Sequence, residues 1–285
     1  MSCISVYKKR EKEDEEISSK NNDTSELSKE NEIKINLDRE SFERLLNNNK
    51  ELDRYRSRVQ KNYYFDYFYS HPNGRKLLLL GSGLSLRLRV GSDFARISLK
   101  MDAEDKDDIS DKVLQRIEHQ CTLASFKKYK DILSSREAIL NLDEISCPKD
   151  PSSLHHPIVA LKKLLQESVL VKAHVPQISL DAIAPLGMSQ TVRHYYPMKI
   201  LDKEFTVELD MTSYPRNYIG YELELELVGE NKTPYLEKFL QHLQVENIKV
   251  RSVGASKAEL TFAILENDNT KVSNFLDHGA IVKLF

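Results

Sequence analysis

Residues 221–227 read YELELEL, and this stretch decides how the rest of the sequence is interpreted. In a β-strand successive side chains point to opposite faces, so Glu222, Glu224 and Glu226 share one face and the leucines share the other. The apolar face predicts a strand packed against a core. Three carboxylates in a row repel one another unless cations lie between them, so the opposite face is not an ordinary surface.

The same alternation recurs in other predicted strands, where charged or polar residues line the face opposite the aliphatic one. These sets are Glu30, Glu32 and Lys34; Arg87 and Arg89; Arg96, Ser98 and Lys100; Glu208 and Asp210.

One interpretation is an antiparallel sheet with one solvated face and one core face. A solvated face usually intersperses charges of both signs, whereas here one strand is basic and another acidic. The alternative is a closed barrel with an apolar outer face under helices and a charged lumen. Carboxylates hold hard divalent cations and arginine binds phosphate, so such a lumen indicates a metal-dependent phosphate-ester or anhydride site.

The composition of the chain excludes several classes of protein. The chain has 285 residues, 42 Lys and Arg against 44 Asp and Glu, and a formal net charge of -2, which excludes a bulk cationic protein that coats nucleic acid or an anionic membrane. Its three cysteines lack CxxC spacing, so neither a disulfide framework nor a structural zinc site is expected. No apolar run approaches the roughly 18 residues of a membrane span. We expect a cytoplasmic protein.

The chain divides into four predicted parts. Residues 1–28 are charged and almost without apolar periodicity, which predicts a disordered tail. The main domain is expected at 29–265, with a helical insert at about 102–186 and a C-terminal extension at 266–285. A helical pattern within the insert rests on Ile109, Val113 and Ile117, and another on residues 126–133. A strand is expected at 76–80, a closing hairpin from 248–252 and 258–265, and a short helix at 272–278.

The charged motifs resemble those of the CYTH superfamily, the triphosphate tunnel metalloenzymes. Glu30-x-Glu32-x-Lys34 resembles the family's ExExK signature. Seven further elements follow in the order of the family: Asn62 to Asp66 resembles the YFD strand, Leu86 to Arg89 the LRxR strand, and Lys100, Arg193, Asp210, Glu222-x-Glu224 and Lys257 the later charged positions.

The resemblance covers about residues 30 to 262 and implies an α+β fold, with a closed antiparallel eight-stranded barrel flanked by helices. It implies a divalent cation, Mg²⁺ or Mn²⁺, and a triphosphate-bearing small molecule as partner, with neither nucleic acid nor membrane. The implied metal ligands are Glu30, Glu32, Asp210, Glu222 and Glu224, with Glu226 as the alternative to Glu222. The implied phosphate-binding residues are Lys34, Arg87, Arg89, Lys100, Arg193 and Lys257. Catalytic roles fall on Glu32, Lys34 and Glu224.

The net charge of the implied site residues predicts when a metal ion binds. With Glu208 and Glu226 added, the implied set has seven acids and six bases, a net charge near −1. Two Mg²⁺ ions raise it to about +3, and a triphosphate contributes about −4 at neutral pH. We therefore expect the empty site to bind metal weakly and the metal to enter with the substrate.

The expected reaction is metal-dependent hydrolysis of the terminal phosphoryl of a triphosphate, and we favour inorganic tripolyphosphate. Thiamine triphosphate is the weaker candidate, because stacking a thiazolium ring favours an indole and the chain has no tryptophan. The alternatives are an adenylyl cyclase of the same superfamily, which needs a purine pocket, and a non-catalytic polyphosphate-binding module.

Overall fold

A computed structural model of the chain describes residues 25–48, 57–71, 74–92, 94–102, 113–122, 157–176, 179, 181, 183–227, 233–252 and 255–278. Within these residues, no helix is both long enough and apolar enough to cross a membrane. The fold is α+β, as the sequence predicts, with one large antiparallel sheet and several helices.

The described strands are β1 Ser25–Leu37, β2 Arg58–His71, β3 Gly74–Leu77, β4 Leu84–Val90, β5 Ala95–Asp102, β6 Val113–Thr122, β7 Ile183–Ile200, β8 Lys203–Ser213, β9 Tyr218–Glu226, β10 Val250–Ser252 and β11 Asp277–His278. The described helices are α1 Arg39–Asn48, α2 Leu78–Gly81, α3 Pro157–Glu167, α4 Val169–His174, α5 Thr233–Val245, α6 Lys257–Leu265 and α7 Asn269–Phe275.

The sheet has the strand order β10-β1-β6-β5-β4-β2-β7-β8-β9-β11, with β3 on β2. Besides the short strand β10, β1 pairs with two other strands of the sheet. Its first part, Ser25 to Ile33, pairs with β6, and its last part, Glu32 to Leu37, pairs with β9. β1 therefore connects strands that stand far apart in the order.

The apolar faces of the strands pack against helices in two large clusters. In one, Leu86, Leu88 and Ile97 of β4 and β5 lie with residues of α3 and α4. In the other, Ile33 and Ile35 of β1 lie with residues of β7 to β9, α1 and α5. Because side chains alternate along a strand, burying these residues turns the charged ones to the opposite face of the sheet.

The predicted helix after Asp38 is confirmed, because the Asp38 carboxylate accepts a hydrogen bond from the Ser41 backbone N–H at 2.8 Å and caps α1. The helix with Ile158 and Leu161 is also present, as α3.

The helical prediction around Val113 and Ile117 is wrong, because these residues lie in β6. A spacing of four also fits strand alternation, and β6 pairs with β1 on one edge and β5 on the other, so tertiary pairing decides the structure. The expected helical insert is thus interrupted by a strand. Ile109 and the stripe at 126–133 lie outside the described residues.

Four other predictions of secondary structure need correction. The segment 258–265 is helix α6 rather than a hairpin strand: it begins with a capping box between Ser256 and Glu259 and is buried on several sides, so it shows no amphipathic period. The strand expected at 76–80 ends at Leu77, where α2 begins. The last helix, α7, begins at Asn269 and ends at Phe275. Residues 25–28, assigned to the tail, belong to β1, and 1–24 lie outside the described part of the chain.

Candidate active site on the charged face of the sheet

A cavity of about 380 Å³ lies on the charged face of the sheet. Among the described residues, its lining includes eight basic side chains: Lys34, Arg87, Arg89, Arg96, Lys100, Arg116, Arg193 and Lys257. Its acidic lining consists of Glu32, Glu118, Glu204, Glu208, Glu224, Glu226 and Glu259. The predicted phosphate-binding residues therefore share one cavity.

Three of the predicted metal ligands meet beside this cavity. Asp210, Glu222 and Glu224 each offer a carboxylate oxygen, and these oxygens lie within 4.8 Å of one another. The strand register explains the meeting, because Asp210 on β8 lies directly opposite Glu222 on β9. We call these three residues the carboxylate cluster. All three are buried, and the exposed fraction is 0% for Asp210 and 1% for Glu222.

Three cations neutralise the carboxylate cluster. The Lys257 ammonium, at the first residue of α6, donates to Asp210 Oδ2 at 3.1 Å and to Glu224 Oε1 at 3.2 Å, and also contacts Glu222. Lys34 Nζ lies 3.3 Å from a carboxylate oxygen of Glu222 and of Glu224.

Arg193 is the third of these cations, and it is 6% exposed. Its guanidinium donates two hydrogen bonds to Asp210, at 2.7 and 2.6 Å, and one to Glu224 Oε2 at 2.7 Å. It also contacts Glu208. The two parallel bonds to Asp210 form the bidentate geometry that makes arginine–carboxylate pairs strong.

The protonation preferences follow from burial and these contacts. Burial alone would raise the pKa of Glu224, but Lys257 and Arg193 hold it well below its usual range. Conversely, burial would lower the pKa of Lys257, but the carboxylate cluster holds it well above its usual range. Burial raises the pKa of Glu208 to about 7, against the opposing effect of Arg193. Glu224 and Lys257 are therefore held in their charged forms.

Another part of the cavity lining comes from β4, β5 and β6 and is mainly basic. Lys100 Nζ lies 3.2 Å from Glu118, whose other carboxylate oxygen lies 3.7 Å from Arg87. Arg87 also donates to Ser98 Oγ at 3.2 Å. Arg89 donates to the Asn62 amide oxygen at 3.2 Å. We call the cationic residues of the β4–β5 pair, Arg87, Arg89, Arg96 and Lys100, the basic wall.

Of the two glutamates of the first signature, Glu32 lies outside the carboxylate cluster. Glu32 forms an ion pair with Arg116 of β6. Glu30 lies in β1 with its Cα opposite that of Arg116 in the ladder, and its side chain is outside the described part of the structure. Glu226 is opposite Glu32 on β9, is exposed and lines the cavity.

Comparison with solved structures bears on the fold. The chain resembles a candidate adenylyl cyclase from Hippeastrum that has a dominant triphosphatase activity, with a TM-score of 0.53, 21% identity and coverage of 81% of this chain and 94% of the other. It also resembles a candidate adenylate cyclase from Bacillus halodurans, with a TM-score of 0.51, 20% identity and coverage of 83% and 98%. This chain has a CYTH-type fold. No protein-family model matches the sequence, and neither does any curated protein.

The residues of the carboxylate cluster fit a divalent cation. Three carboxylates supply the hard oxygen ligands that Mg²⁺ and Mn²⁺ prefer. Glu222 Oε1 is buried and accepts no hydrogen bond from the described part of the chain, so it keeps a lone pair available. The Lys257 ammonium contacts all three members of the carboxylate cluster, and a cation that binds there meets this competing positive charge.

Sequence reasoning missed Arg116 and Glu118, because their segment was interpreted as helix. A signal was present: Arg116 and Glu118 alternate with Ile117 and Cys121, which pack in the core behind β5 and β6. Arg96 was noticed as part of a charged strand and was not assigned to the site, although it lines the cavity beside Arg89.

Proposed function

We propose that this chain is a metal-dependent triphosphatase that hydrolyses the terminal phosphoryl of a triphosphate, with inorganic tripolyphosphate as the favoured substrate. The observation that carries the proposal is one cavity with a buried carboxylate cluster on one side and the basic wall on the other. This combination suits a polyanion that is bound together with a divalent cation.

We further propose that eight strands close into a tunnel around this cavity, in the order β1, β6, β5, β4, β2, β7, β8, β9. The two pairings of β1, with β6 and with β9, support such a ring. So does the distribution of the lining residues, since all of these strands except β7 and β2 contribute two or more of them. β7 and β2 contribute one lining residue each, Arg193 and Tyr64.

Each group of residues has a proposed role. Phosphate oxygens are bound by Lys34, Arg87, Arg89, Lys100, Arg193 and Lys257. The metal is held by Asp210, Glu222 and Glu224, with Glu30 and Glu32 as the ligands contributed by β1. A bound Mg²⁺ or Mn²⁺ polarises the phosphoryl oxygens and neutralises their charge.

Catalytic roles are proposed for Glu32, Lys34 and Glu224. Glu224 stays ionised, because its pKa is well below the usual range, and it can therefore orient the attacking water as a hydrogen-bond acceptor. Lys34 lies between Glu222 and Glu224 and positions their carboxylates while it presents positive charge to the reacting phosphoryl. Glu32 forms an ion pair with Arg116 and precedes Lys34 by two residues, on the same face of β1.

Phosphate release tests the proposal against its alternatives. The purified chain is incubated with tripolyphosphate, ATP or thiamine triphosphate, each with Mg²⁺, with Mn²⁺ or with EDTA. We expect orthophosphate from tripolyphosphate only when metal is present. Cyclic AMP from ATP would identify a cyclase instead, fastest release from thiamine triphosphate would identify a thiamine triphosphatase, and binding without release would identify a non-catalytic module.

A further inference from the structure

Two arginines face each other across the β4–β5 ladder. The register pairs Ser85 with Lys100, Arg87 with Ser98, and Arg89 with Arg96. Rows of side chains on one face are about 7 Å apart, so the basic wall is about 14 Å long from the Lys100 row to the Arg96 row. The Arg89–Arg96 pair forms the end of this wall that is farther from Lys100.

The surroundings of this pair differ from those of the other cavity cations. Lys100 and Arg87 share Glu118, and Arg193, Lys257 and Lys34 are held by the carboxylate cluster. Within the ranges that the structure describes, no carboxylate lies within ion-pair distance of Arg89 or Arg96. Arg89 has the neutral amide oxygen of Asn62, and the Nε of Arg96 is buried and has no hydrogen-bond partner among the described residues.

Like charges directly opposite on neighbouring strands destabilise a sheet. A buried N–H donor that lacks an acceptor adds a further penalty. Both penalties disappear when an anion lies between the two guanidinium groups. Guanidinium forks match the oxygens of a phosphate group in number and direction, and Arg89 and Arg96 both line the cavity.

We propose that the Arg89–Arg96 pair is a subsite for an additional phosphate, so that the cavity binds linear polyphosphates of four or more phosphates more tightly than tripolyphosphate. This inference rests on the proposed function and deepens it. Arg96 lies outside the residues that we assign to a triphosphate, and it stands directly across the ladder from Arg89, in the row farthest from Lys100. A fourth phosphate, continuous with the chain bound along the basic wall, supplies the acceptor that Arg96 lacks.

Isothermal titration of the full chain tests this subsite. Pyrophosphate, tripolyphosphate and tetrapolyphosphate are titrated at constant ionic strength with EDTA, so that no metal-dependent hydrolysis intervenes. We expect the wild-type chain to bind tetrapolyphosphate about tenfold more tightly than tripolyphosphate, the gain of one charge-assisted contact. Arg96→Gln should remove most of this difference and leave tripolyphosphate affinity nearly unchanged, and Arg96→Lys should keep part of it.

A matched control and a second measurement separate binding from folding. Arg44→Gln removes the same charge from an exposed position on α1 and should preserve the chain-length preference. The melting temperature of ligand-free Arg96→Gln should equal or exceed that of the wild type, because the like-charge repulsion is gone. A purely structural arginine would lower it.

The outcomes distinguish this inference from the proposed function. If Arg96→Gln keeps the full chain-length preference, or weakens tripolyphosphate and tetrapolyphosphate equally, the subsite is wrong even when the chain hydrolyses tripolyphosphate. If tripolyphosphate and tetrapolyphosphate bind the wild type equally, the subsite is also wrong. If the wild type binds no phosphate chain with metal or without it, the proposed function fails as well.

Discussion

The two sides of the cavity handle charge in opposite ways. On the side of β8, β9 and α6, the three members of the carboxylate cluster are matched by Arg193, Lys257 and Lys34, and all of these groups are buried. On the side of β4 and β5, the basic wall has Glu118 as its carboxylate neighbour among the described residues, and its four cations are only partly buried.

Because of this difference, we expect one side to contribute mainly to the stability of the fold and the other mainly to ligand affinity. A buried charge that has lost its partners is strongly destabilising, so the carboxylate cluster and its cations depend on one another in the absence of any ligand. In the basic wall, Arg89 and Arg96 have no carboxylate of the described residues within ion-pair distance, so their positive charge is available to a polyanion. We therefore expect substitutions on the first side to affect stability, and substitutions on the second side to affect ligand affinity.

The largest expected effect is on the stability of Arg193→Leu. Arg193 neutralises Asp210, Glu224 and Glu208, and its loss leaves buried carboxylates with too few cations. We expect a decrease of about 3–5 kcal/mol in the free energy of unfolding, measured by urea denaturation. Arg89→Gln, on the basic wall, should change it by less than about 1 kcal/mol. Equal losses in both variants would remove the distinction between the two sides.

The next effect is on substrate affinity. Arg87→Ala should raise the KM for tripolyphosphate about tenfold to hundredfold, because a charge-assisted contact present in both ground state and transition state is lost. The kcat should change little. Steady-state kinetics with Mn²⁺ provide the measurement, with Arg44→Gln as the surface control. A fall in kcat at constant KM would place Arg87 with the catalytic groups instead.

A third prediction concerns metal binding without substrate. Because the Lys257 ammonium contacts all three carboxylates, Lys257→Met should tighten Mn²⁺ binding about tenfold, as one competing charge is removed. Free Mn²⁺, measured by electron paramagnetic resonance, gives the affinity. Lys162→Met, which removes a half-buried lysine of α3 that lies outside the cavity lining, serves as the control. Unchanged or weaker Mn²⁺ binding in a folded Lys257→Met variant would show that Lys257 does not compete for the site.

The last prediction concerns β1, which pairs with strands of both sides. Its first residues, Ser25 to Ser28, pair with β6, which is the neighbour of β5 in the sheet. Deleting residues 1–28 should therefore decrease stability by about 1–3 kcal/mol relative to deleting residues 1–24, through the lost ladder hydrogen bonds. Deleting 1–24 should leave the melting temperature unchanged, since that composition provides no folding drive. Two truncated chains with the same melting temperature would contradict the pairing.

Much of the charged face could be predicted because alternation is local. In the YELELEL strand and in LRLRV, the sequence itself states which residues turn away from the core, whatever strand lies next to them. The structure confirms this for Leu223 and Leu88, which are buried, and for Arg87 and Glu224, which line the cavity.

The remaining features depend on contacts between distant parts of the chain. β6 is a strand because it pairs with β1 and β5 on its two edges, and nothing within residues 113–122 reveals those partners. Lys257 reaches the carboxylate cluster from the first turn of a helix that is buried on several sides, which removes the amphipathic signal that would have identified it as a helix. The match of cations to carboxylates also required the register of β7, β8 and β9.

Comparison of binding and turnover in Glu224→Gln tests the central claim most directly. Tripolyphosphate affinity is measured by isothermal titration with EDTA, and orthophosphate release is measured with Mn²⁺, for the wild type and the variant. We predict metal-dependent release by the wild type, and in Glu224→Gln a tripolyphosphate affinity within a few-fold of the wild type with release reduced at least a hundredfold. Release by Glu224→Gln at the wild-type rate, or no release by the wild type with either metal, would contradict this account.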